Sequence, residues 1–274
     1  MLLEVDIKLI MTRENLLLTA INAAIEAGKE ILTVYSTEFQ VENKADKSPL
    51  TEADKRAHQA IVKGLTSTKL PILSEEGKSI PYDERKSWEK FWMVDPLDGT
   101  KEFINKNGEF TVNIALIENQ ASTMGVIYVP VSKELYFSDD KAYKINNITS
   151  AAHTLADLIT SANKLPLKTE RTDFVVVASR SHMSDETKTF IEEKETEHNS
   201  ISLLSKGSSL KLCMVAENAA DCYPRFAPTM EWDTAAGNAI INAAGGIVID
   251  QTTKEKMKYN KENLLNNWFL AQLN

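Results

Sequence analysis

The stretch Trp92-Met93-Val94-Asp95-Pro96-Leu97-Asp98-Gly99-Thr100-Lys101-Glu102-Phe103 decides how this chain is read. Phe91 to Val94 is an apolar, aromatic run of the kind that forms a buried strand, so Asp95 and Asp98 fall where that strand ends. Carboxylates held together there need cations. Pro96 fixes one backbone angle and supplies no donor, which leaves the Leu97 carbonyl free to point at the same place as the two acids. Hard oxygen ligands of this kind suit Mg²⁺. Gly99 lets the backbone come close to a ligand, and a helix turn starting here would face the amides of Gly99 and Thr100 toward an anion. Metal and phosphate would then share one site. DP and DG pairs are also common turn formers, and taken alone the hexapeptide is compatible with a surface turn carrying two solvated acids. The rest of the chain has to decide.

At 274 residues the chain is long enough for one large domain or two intimate halves with a sizeable core. Its formal net charge is −8, from 31 basic and 39 acidic residues, which argues against a nucleic-acid groove held by basic excess. A phosphorylated ligand would need local cations to offset that acidity, and bound metal would supply them. Cys213 and Cys222 are too few for a disulfide framework and match no zinc spacing; Cys213 lies in an apolar helical run and reads as a packed thiol. A reducing cytoplasm fits that usage. The opening MLLEVDIKLIM is broken by Glu4, Asp6 and Lys8, so it lacks the apolar centre of a signal peptide, and Met11 is a candidate alternative start. No stretch is long enough to span a membrane, and no amphipathic or lipidation signal stands out.

Apolar positions from Leu17 to Leu32 recur at helical spacing, predicting a long amphipathic helix from Arg13 to Tyr35 capped by Thr12. Thr51 is read as the cap of a second helix running to about Leu65, with Asp54 in its first turn. Short strands are expected at Phe39 to Val41 and Pro71 to Ser74, the latter ending in Glu75 and Glu76, and Phe110 to Ile117 and Thr123 to Val129 are expected to pair as a hairpin. Lys141 to Lys164 is polar with weak signals, so an internal boundary is placed near Ser150, dividing the chain into residues 1–150 and 151–274. Beyond it strands and helices alternate: a strand at Phe174 to Ala178, a charged helix from about Asp185, a strand near Ile201 to Leu204, a helix from Ser208 to Asn218, a strand at Asp221 to Tyr223, a small-residue helix from Trp232 to Ala244 and a strand at Ile247 to Ile249. That alternation favours a layered α/β half.

Three further acidic features lie at element ends. Glu75 follows a buried-looking strand, Thr51 and Asp54 are a helical turn apart, and Asp233 opens a helix whose Ala and Gly residues permit close backbone approach. Each has a plainer reading, because acids in a first helical turn simply complement the helix dipole and Glu75 or Glu76 could be solvated. Their combination shifts the balance toward a site.

The segments KADKSPLTEAD, LSEE, WMVDPLDGTKEF, GEFTVNIALIENQASTMGVIYVP, SRSH, GSSLKLCMVAE, YPRF and EWDTAAGNAIINAAGG resemble those of the lithium-sensitive, magnesium-dependent phosphatases of the inositol monophosphatase superfamily. Within it they are most similar to the bacterial CysQ-type 3′(2′),5′-bisphosphate nucleotidases, from about Arg13 onward. DPLDGT with the downstream WDTAAG carries the superfamily resemblance, and GSSLK and YPRF narrow it. Two departures are modest: the first dozen residues precede the usual start, and Leu50 stands where the pattern has Val. The resemblance implies an alternating αβαβα sandwich with the metal site between two halves. It implies that Glu75, Asp95, Asp98 and Asp233, with the Leu97 carbonyl, hold two or three Mg²⁺ ions. It also implies that Thr100 hydrogen-bonds the attacking water, that Asp54 orients or deprotonates Thr100, and that Glu75 lies near the same water, giving hydrolysis without a covalent intermediate.

Choosing a nucleotide needs donors for a second phosphate and a surface for the base. Gly99, Thr100 and Asp233 beside the metal, with Ser181, His182, Ser208, Ser209, Lys211 and Arg225 from the second half, are the candidate substrate contacts. Lys211 could equally be a surface residue, His182 a loop cap and Arg225 the partner of an internal acid. His58, His153 and His198 read as exposed helix or loop residues. The expected reaction removes the 3′-phosphate of adenosine 3′,5′-bisphosphate to give AMP, clearing a by-product of sulfate assimilation. The alternatives are the same chemistry on an inositol monophosphate or a sugar bisphosphate, and a non-catalytic metal-dependent phospholigand-binding protein. Against the last stands the intact set Thr100, Asp54 and Glu75, since a pure binder has no use for a water activator. The partner is a small molecule rather than a nucleic-acid polymer, and oligomeric state is not legible here.

Overall fold

The computed structural model describes residues 11–43, 49–178 and 183–273. Helix α1 (Arg13–Tyr35) forms as the spacing predicts, with Thr12 accepting from the Asn15 amide as its cap. A two-stranded ribbon, β1 (Val41–Asn43) and β2 (Pro49–Thr51), leads into α2 (Glu52–Leu65), which packs against α1. The sequence places the first of these strands slightly early, at Phe39 to Val41.

Next come β3 (Ile72–Ser74), the short α3 (Tyr82–Arg85), β4 (Lys90–Asp98), α4 (Thr100–Ile104), β5 (Thr111–Glu118), β6 (Ala121–Val129), β7 (Glu134–Ser138), β8 (Ala142–Ile145), α5 (Leu155–Ser161) and β9 (Asn163–Lys164). The strands make one seven-stranded sheet in sequence order, parallel between β3 and β4 and antiparallel elsewhere, so this sheet continues past Ser150 to Lys164. The remaining elements are β10 (Phe174–Ala178), α6 (Asp185–Glu197), β11 (Ile201–Ser205), α7 (Leu210–Ala216), β12 (Cys222–Arg225), α8 (Glu231–Ala243), β13 (Gly246–Asp250) and β14 (Phe269–Leu273). Their strands form a five-stranded sheet in the order β11-β10-β12-β14-β13.

The pleat sorts side chains into two cores. Trp92 and Val94 of β4 enter a core shared with α1 and α2, whereas Phe91 and Met93 enter a second core with α7, α8 and the inner face of the five-stranded sheet. Helix α6 covers the outer face of that sheet, where Ile191 meets Val176 and Cys222. The layers therefore run helix pair, sheet, helix pair, sheet, helix: the αβαβα sandwich. Both cysteines are free and buried. Among the described residues no helix is long and apolar enough to cross a membrane.

Strand β4 is interrupted between Asp95 and Asp98. It is an interior strand, where Pro96 cannot donate to a ladder, and proline is tolerated there at a bulge. The register records one: Asp95 pairs with Asn113 but Asp98 with Thr111, so three steps on β4 oppose two on β5. In an unbroken strand, residues three apart point to opposite faces. The extra residue reverses that parity, which is why Leu97 lies in the first core while Phe91 and Met93 lie in the second. Asp98 is thereby returned to the face that Asp95 already occupies.

Candidate active site

Asp95 is almost fully buried, and its Oδ1 accepts from the Leu97 amide at 3.0 Å, a local bond that closes the bulge. Glu75 arrives from the end of β3, its amide bonded to the Val94 carbonyl at 3.1 Å. Asp233 is delivered by the first turn of α8, whose close approach to the sheet depends on Gly125: a Cβ there would lie 2.2 Å from the Ala236 carbonyl oxygen. These three carboxylates bring one oxygen each within 4.8 Å of one another, a group that could hold a metal ion. Burial first, then the charges of Glu75, Asp98 and Asp233, push Asp95 well above the usual carboxylate range. Asp233 is raised likewise, by burial and then by Asp98. Hard oxygen donors crowded until they resist ionisation fit a divalent cation, which relieves their repulsion.

Asp98 sits beside this trio in a hydroxyl cradle. Its Oδ2 accepts from Ser208 Oγ at 2.7 Å and Ser209 Oγ at 2.6 Å, with Asn113 Nδ2 at 3.4 Å. Ser209 also accepts from Asn113 Nδ2 at 2.8 Å and reaches the Asp233 carbonyl at 2.9 Å, while Ser208 and Thr111 hydroxyls meet at 2.7 Å. Both serines of GSSLK therefore touch an acid of the site. Asn113 and Thr111 were not singled out from the sequence; a buried asparagine inside the apolar run TVNIALIE was the available signal.

Asp54 and Asp233 do serve as helix starters, and each does so with a single oxygen. Asp54 Oδ2 accepts from the Thr51 amide at 2.8 Å and the Thr51 hydroxyl at 2.6 Å, and Asp233 Oδ2 accepts from the Met230 amide at 2.8 Å. Asp54 Oδ1 faces Thr100, whose hydroxyl lies 3.4 Å away and at the same distance from the Leu97 carbonyl. Thr100 thus links the Asp54 side chain to the bulge. Gly99, at φ 91°, caps α4 in the left-handed region, and a Cβ there would also meet Ser208 Cβ at 3.1 Å.

A cleft of about 270 Å³ opens from these acids. Asp98, Gly99, Ser208, Ser209, Lys211, Arg225 and Asp233 are brought together in its lining, beside Lys101, Glu102 and Lys206, which the sequence did not single out. Lys211 is buried rather than on the surface; its ammonium donates to the carbonyls of Ser208 at 2.7 Å and Lys206 at 3.2 Å, and burial pulls it down to about 8. Arg225 Nη2 donates to the Pro228 carbonyl at 3.1 Å. Ser181 and His182 lie outside the described residues. Two histidines depart from the expectation of exposure: His58 is half-buried with Nδ1 2.9 Å from Ser74 Oγ, and His198 stacks on Phe174 at 3.9 Å. Each finds a partner that only the tertiary fold supplies.

The fold and this constellation of acids are those of a metal-site phosphatase, and the chain belongs to the inositol monophosphatase family, whose model matches residues 12–273. Among its relatives is the 3′(2′),5′-bisphosphate nucleotidase CysQ of Salmonella typhimurium, 42% identical over 251 residues, covering 90% of this chain and 95% of that protein. The Escherichia coli K12 protein of the same name is 41% identical over 255 residues, with 91% and 96% coverage. The crystal structure of CysQ from Bacteroides thetaiotaomicron superposes with a TM-score of 0.89 at 50% identity, covering 95% of this chain and 98% of that one. The Thermotoga maritima IMPase shares the fold at a TM-score of 0.69 and 22% identity, covering 92% of this chain and 89% of that one.

Proposed function

We propose that this chain is a Mg²⁺-dependent 3′(2′),5′-bisphosphate nucleotidase that converts adenosine 3′,5′-bisphosphate to AMP and phosphate, clearing a by-product of sulfate assimilation in the cytoplasm. The observation that carries the reading is one cleft with two chemistries: it is lined by the carboxylates Asp98 and Asp233, which belong with Glu75 and Asp95 to one acidic cluster, and also by the cations Lys101, Lys206, Lys211 and Arg225. The names of the relatives, at 41–42% identity over nearly their whole length, support the substrate class.

Glu75, Asp95, Asp98 and Asp233, with the Leu97 carbonyl, would hold two or three Mg²⁺ ions. Bound there, Mg²⁺ supplies Lewis acidity to the phosphoryl group and the attacking water. Thr100 orients that water through its hydroxyl, and Asp54 Oδ1 accepts the Thr100 proton so that the threonine oxygen faces the water as an acceptor. Glu75 lies on the same side. Water oxygen bonds to phosphorus as the bond from phosphorus to the 3′ oxygen breaks; one of the two water protons ends on the 3′ oxygen, which leaves as the hydroxyl of AMP, and the other stays with the released phosphate. The Gly99 and Thr100 amides, Ser208, Ser209, Asp233, Ser181 and His182 are assigned to the reacting phosphate and ribose. Lys211 and Arg225 are assigned to the second phosphate, whose two negative charges need fixed cations in an otherwise acidic protein. Residues 1–150 would then carry most of the metal site and residues 151–274 the selectivity.

Steady-state phosphate release with Mg²⁺, measured on adenosine 3′,5′-bisphosphate and on inositol 1-phosphate, tests this. A higher kcat/KM for the nucleotide is expected; preference for the inositol ester refutes the substrate, and turnover of neither refutes the enzyme.

A further inference from the structure

The segment from Lys206 to Ser209, between β11 and α7, comes from the five-stranded sheet and lies against the start of β5 in the seven-stranded one. Three residues at two-residue spacing on one side meet three successive residues on the other. Asn113 Nδ2 donates to Ser209 Oγ at 2.8 Å, the Thr111 and Ser208 hydroxyls meet at 2.7 Å, and Glu109 Oε2 accepts from the Gly207 amide at 2.9 Å. Alternate residues of a strand share a face, so the first two rungs follow from β5 itself. Glu109 stands two residues ahead of that strand, where its own amide donates to Asn107 Oδ1 at 2.9 Å in a local turn.

The serines of the inner rungs both donate to Asp98. Glu109 lines a neighbouring cavity of about 370 Å³ rather than the cleft, so it can act on the site only through the segment it holds. Its side chain is 17% exposed and Gly207 is buried, which shields this charge-assisted bond from water. The pairing of Glu109 with Lys206, at 3.3 Å, involves a lysine side chain 44% exposed and contributes little.

The segment needs such a hold. Ser208 sits at φ 53°, a left-handed conformation that a residue with a Cβ keeps only where its surroundings impose it. Gly207 is pressed so closely that a Cβ would lie 2.6 Å from Glu102 Cγ and 2.9 Å from the Glu109 carbonyl oxygen. At this depth the carbonyls of Lys206 and Ser208 accept from the Lys211 ammonium, at 3.2 and 2.7 Å.

We propose that Glu109 is a positioning residue: by holding the Gly207 amide it fixes the segment where Ser208 and Ser209 reach Asp98 and where Lys211 finds its two carbonyls. The assignment rests on the nucleotidase reading above, in which Asp98 binds Mg²⁺ and Lys211 the second phosphate. Groups that orient the ligands of a metal from behind are worth about 10–100-fold in its affinity. Glu109 stands one step further back than the serines, which places its effect at the lower end of that range.

The test is calorimetric Mg²⁺ titration of the substrate-free protein, with nucleotide kinetics beside it, on the wild type, Glu109→Gln and Glu109→Asp. Glutamine keeps the reach and an acceptor oxygen without the charge, whereas aspartate keeps the charge and is one carbon short. Glu109→Asp is expected to weaken Mg²⁺ binding about tenfold and to raise KM for adenosine 3′,5′-bisphosphate through the displaced Lys211; Glu109→Gln is expected to stay near the wild type in both. Combined with Ser209→Ala, Glu109→Asp should cost less than the product of the two separate losses, because both act through the same contact with Asp98. Loss of affinity in Glu109→Gln with none in Glu109→Asp would make the charge alone responsible and overturn the proposal. Fully multiplicative losses in the double variant, or a lowered Tm with unchanged Mg²⁺ affinity in Glu109→Asp, overturn it as well. A wild-type preference for inositol 1-phosphate would refute the nucleotide as substrate while the Mg²⁺ titrations still decide the role of Glu109.

Discussion

Replacing Asp54 by asparagine separates two duties that one side chain performs with different atoms. Oδ2 holds the start of α2 through the Thr51 amide and hydroxyl, at 2.8 and 2.6 Å, and Oδ1 accepts from Thr100. An asparagine has one acceptor oxygen, so it can keep the cap or keep Thr100, but not both. Keeping the cap points an amide N–H at Thr100, which must then accept where it previously donated, and its proton turns toward the water it should orient. Loss of a positioned acid–base group costs about 10²–10⁴ in kcat, or roughly 3–5 kcal/mol of barrier. The cap, partly retained, changes stability by about 0.5–2 kcal/mol. Mg²⁺ affinity should hardly move, because the charges that crowd Asp95 and Asp233 come from Glu75 and Asp98 rather than Asp54. Phosphate release across a Mg²⁺ series, with calorimetric Mg²⁺ titration of the same variant, measures both quantities. Equal losses in affinity and kcat would make Asp54 a direct ligand, and an unchanged kcat would remove the Thr100 relay altogether.

Ser209→Ala takes a donor from Asp98 and an acceptor from Asn113, so Mg²⁺ affinity measured by calorimetry should fall about 10–100-fold although the serine is not itself assigned as a ligand. Burial lowers Lys211 to about 8, so the folded chain loses this proton before the unfolded chain does. The cost of its buried charge is therefore present in full below about pH 8 and fades as pH rises from there to 10.5, the ordinary value, while phosphate attraction fades as the folded chain deprotonates above about 8. KM for the nucleotide should rise above pH 8 in the wild type, and Lys211→Arg, which stays protonated, should flatten that limb of the pH profile. Gly125→Ala drives a methyl into the Ala236 carbonyl. Overpacking of this kind costs about 1–3 kcal/mol, so a lowered Tm and weaker Mg²⁺ binding should appear together, since α8 also carries Asp233.

What the sequence could disclose depended on how local the cause was. Helix α1 is legible to its boundaries because its cap and its apolar spacing are both written within the helix. Strands β7 and β14 were not read: Glu134–Ser138 and Phe269–Leu273 are short, and what makes them strands is a neighbour distant in the chain or reached through a turn. The acids of the site were legible from their motifs, but their common orientation was not. Whether Asp95 and Asp98 share a face depends on the register against β5, which no property of DPLDGT alone determines. Lys211 was placed on the correct helix, and its burial became visible only once Tyr223 and the Lys206–Ser209 segment closed over it. His58 was misjudged for the same reason, since Ser74 comes to it from another element.

The single extra residue in β4 also constrains how such a site can arise and be lost. A substitution alters one side chain and leaves the parity of the strand intact, whereas insertion or deletion of one residue between Asp95 and Asp98 would turn every later side chain of the strand over. Ancestral versions lacking the bulge could not approach this arrangement through a series of amino-acid replacements; they would have to cross by a length change. In a library of engineered variants, this segment should tolerate apolar exchanges of similar volume at the buried Leu97 far better than any change of length, a contrast that deep mutational scanning with indels would display as a sharp notch for insertions and deletions at Pro96 and Leu97.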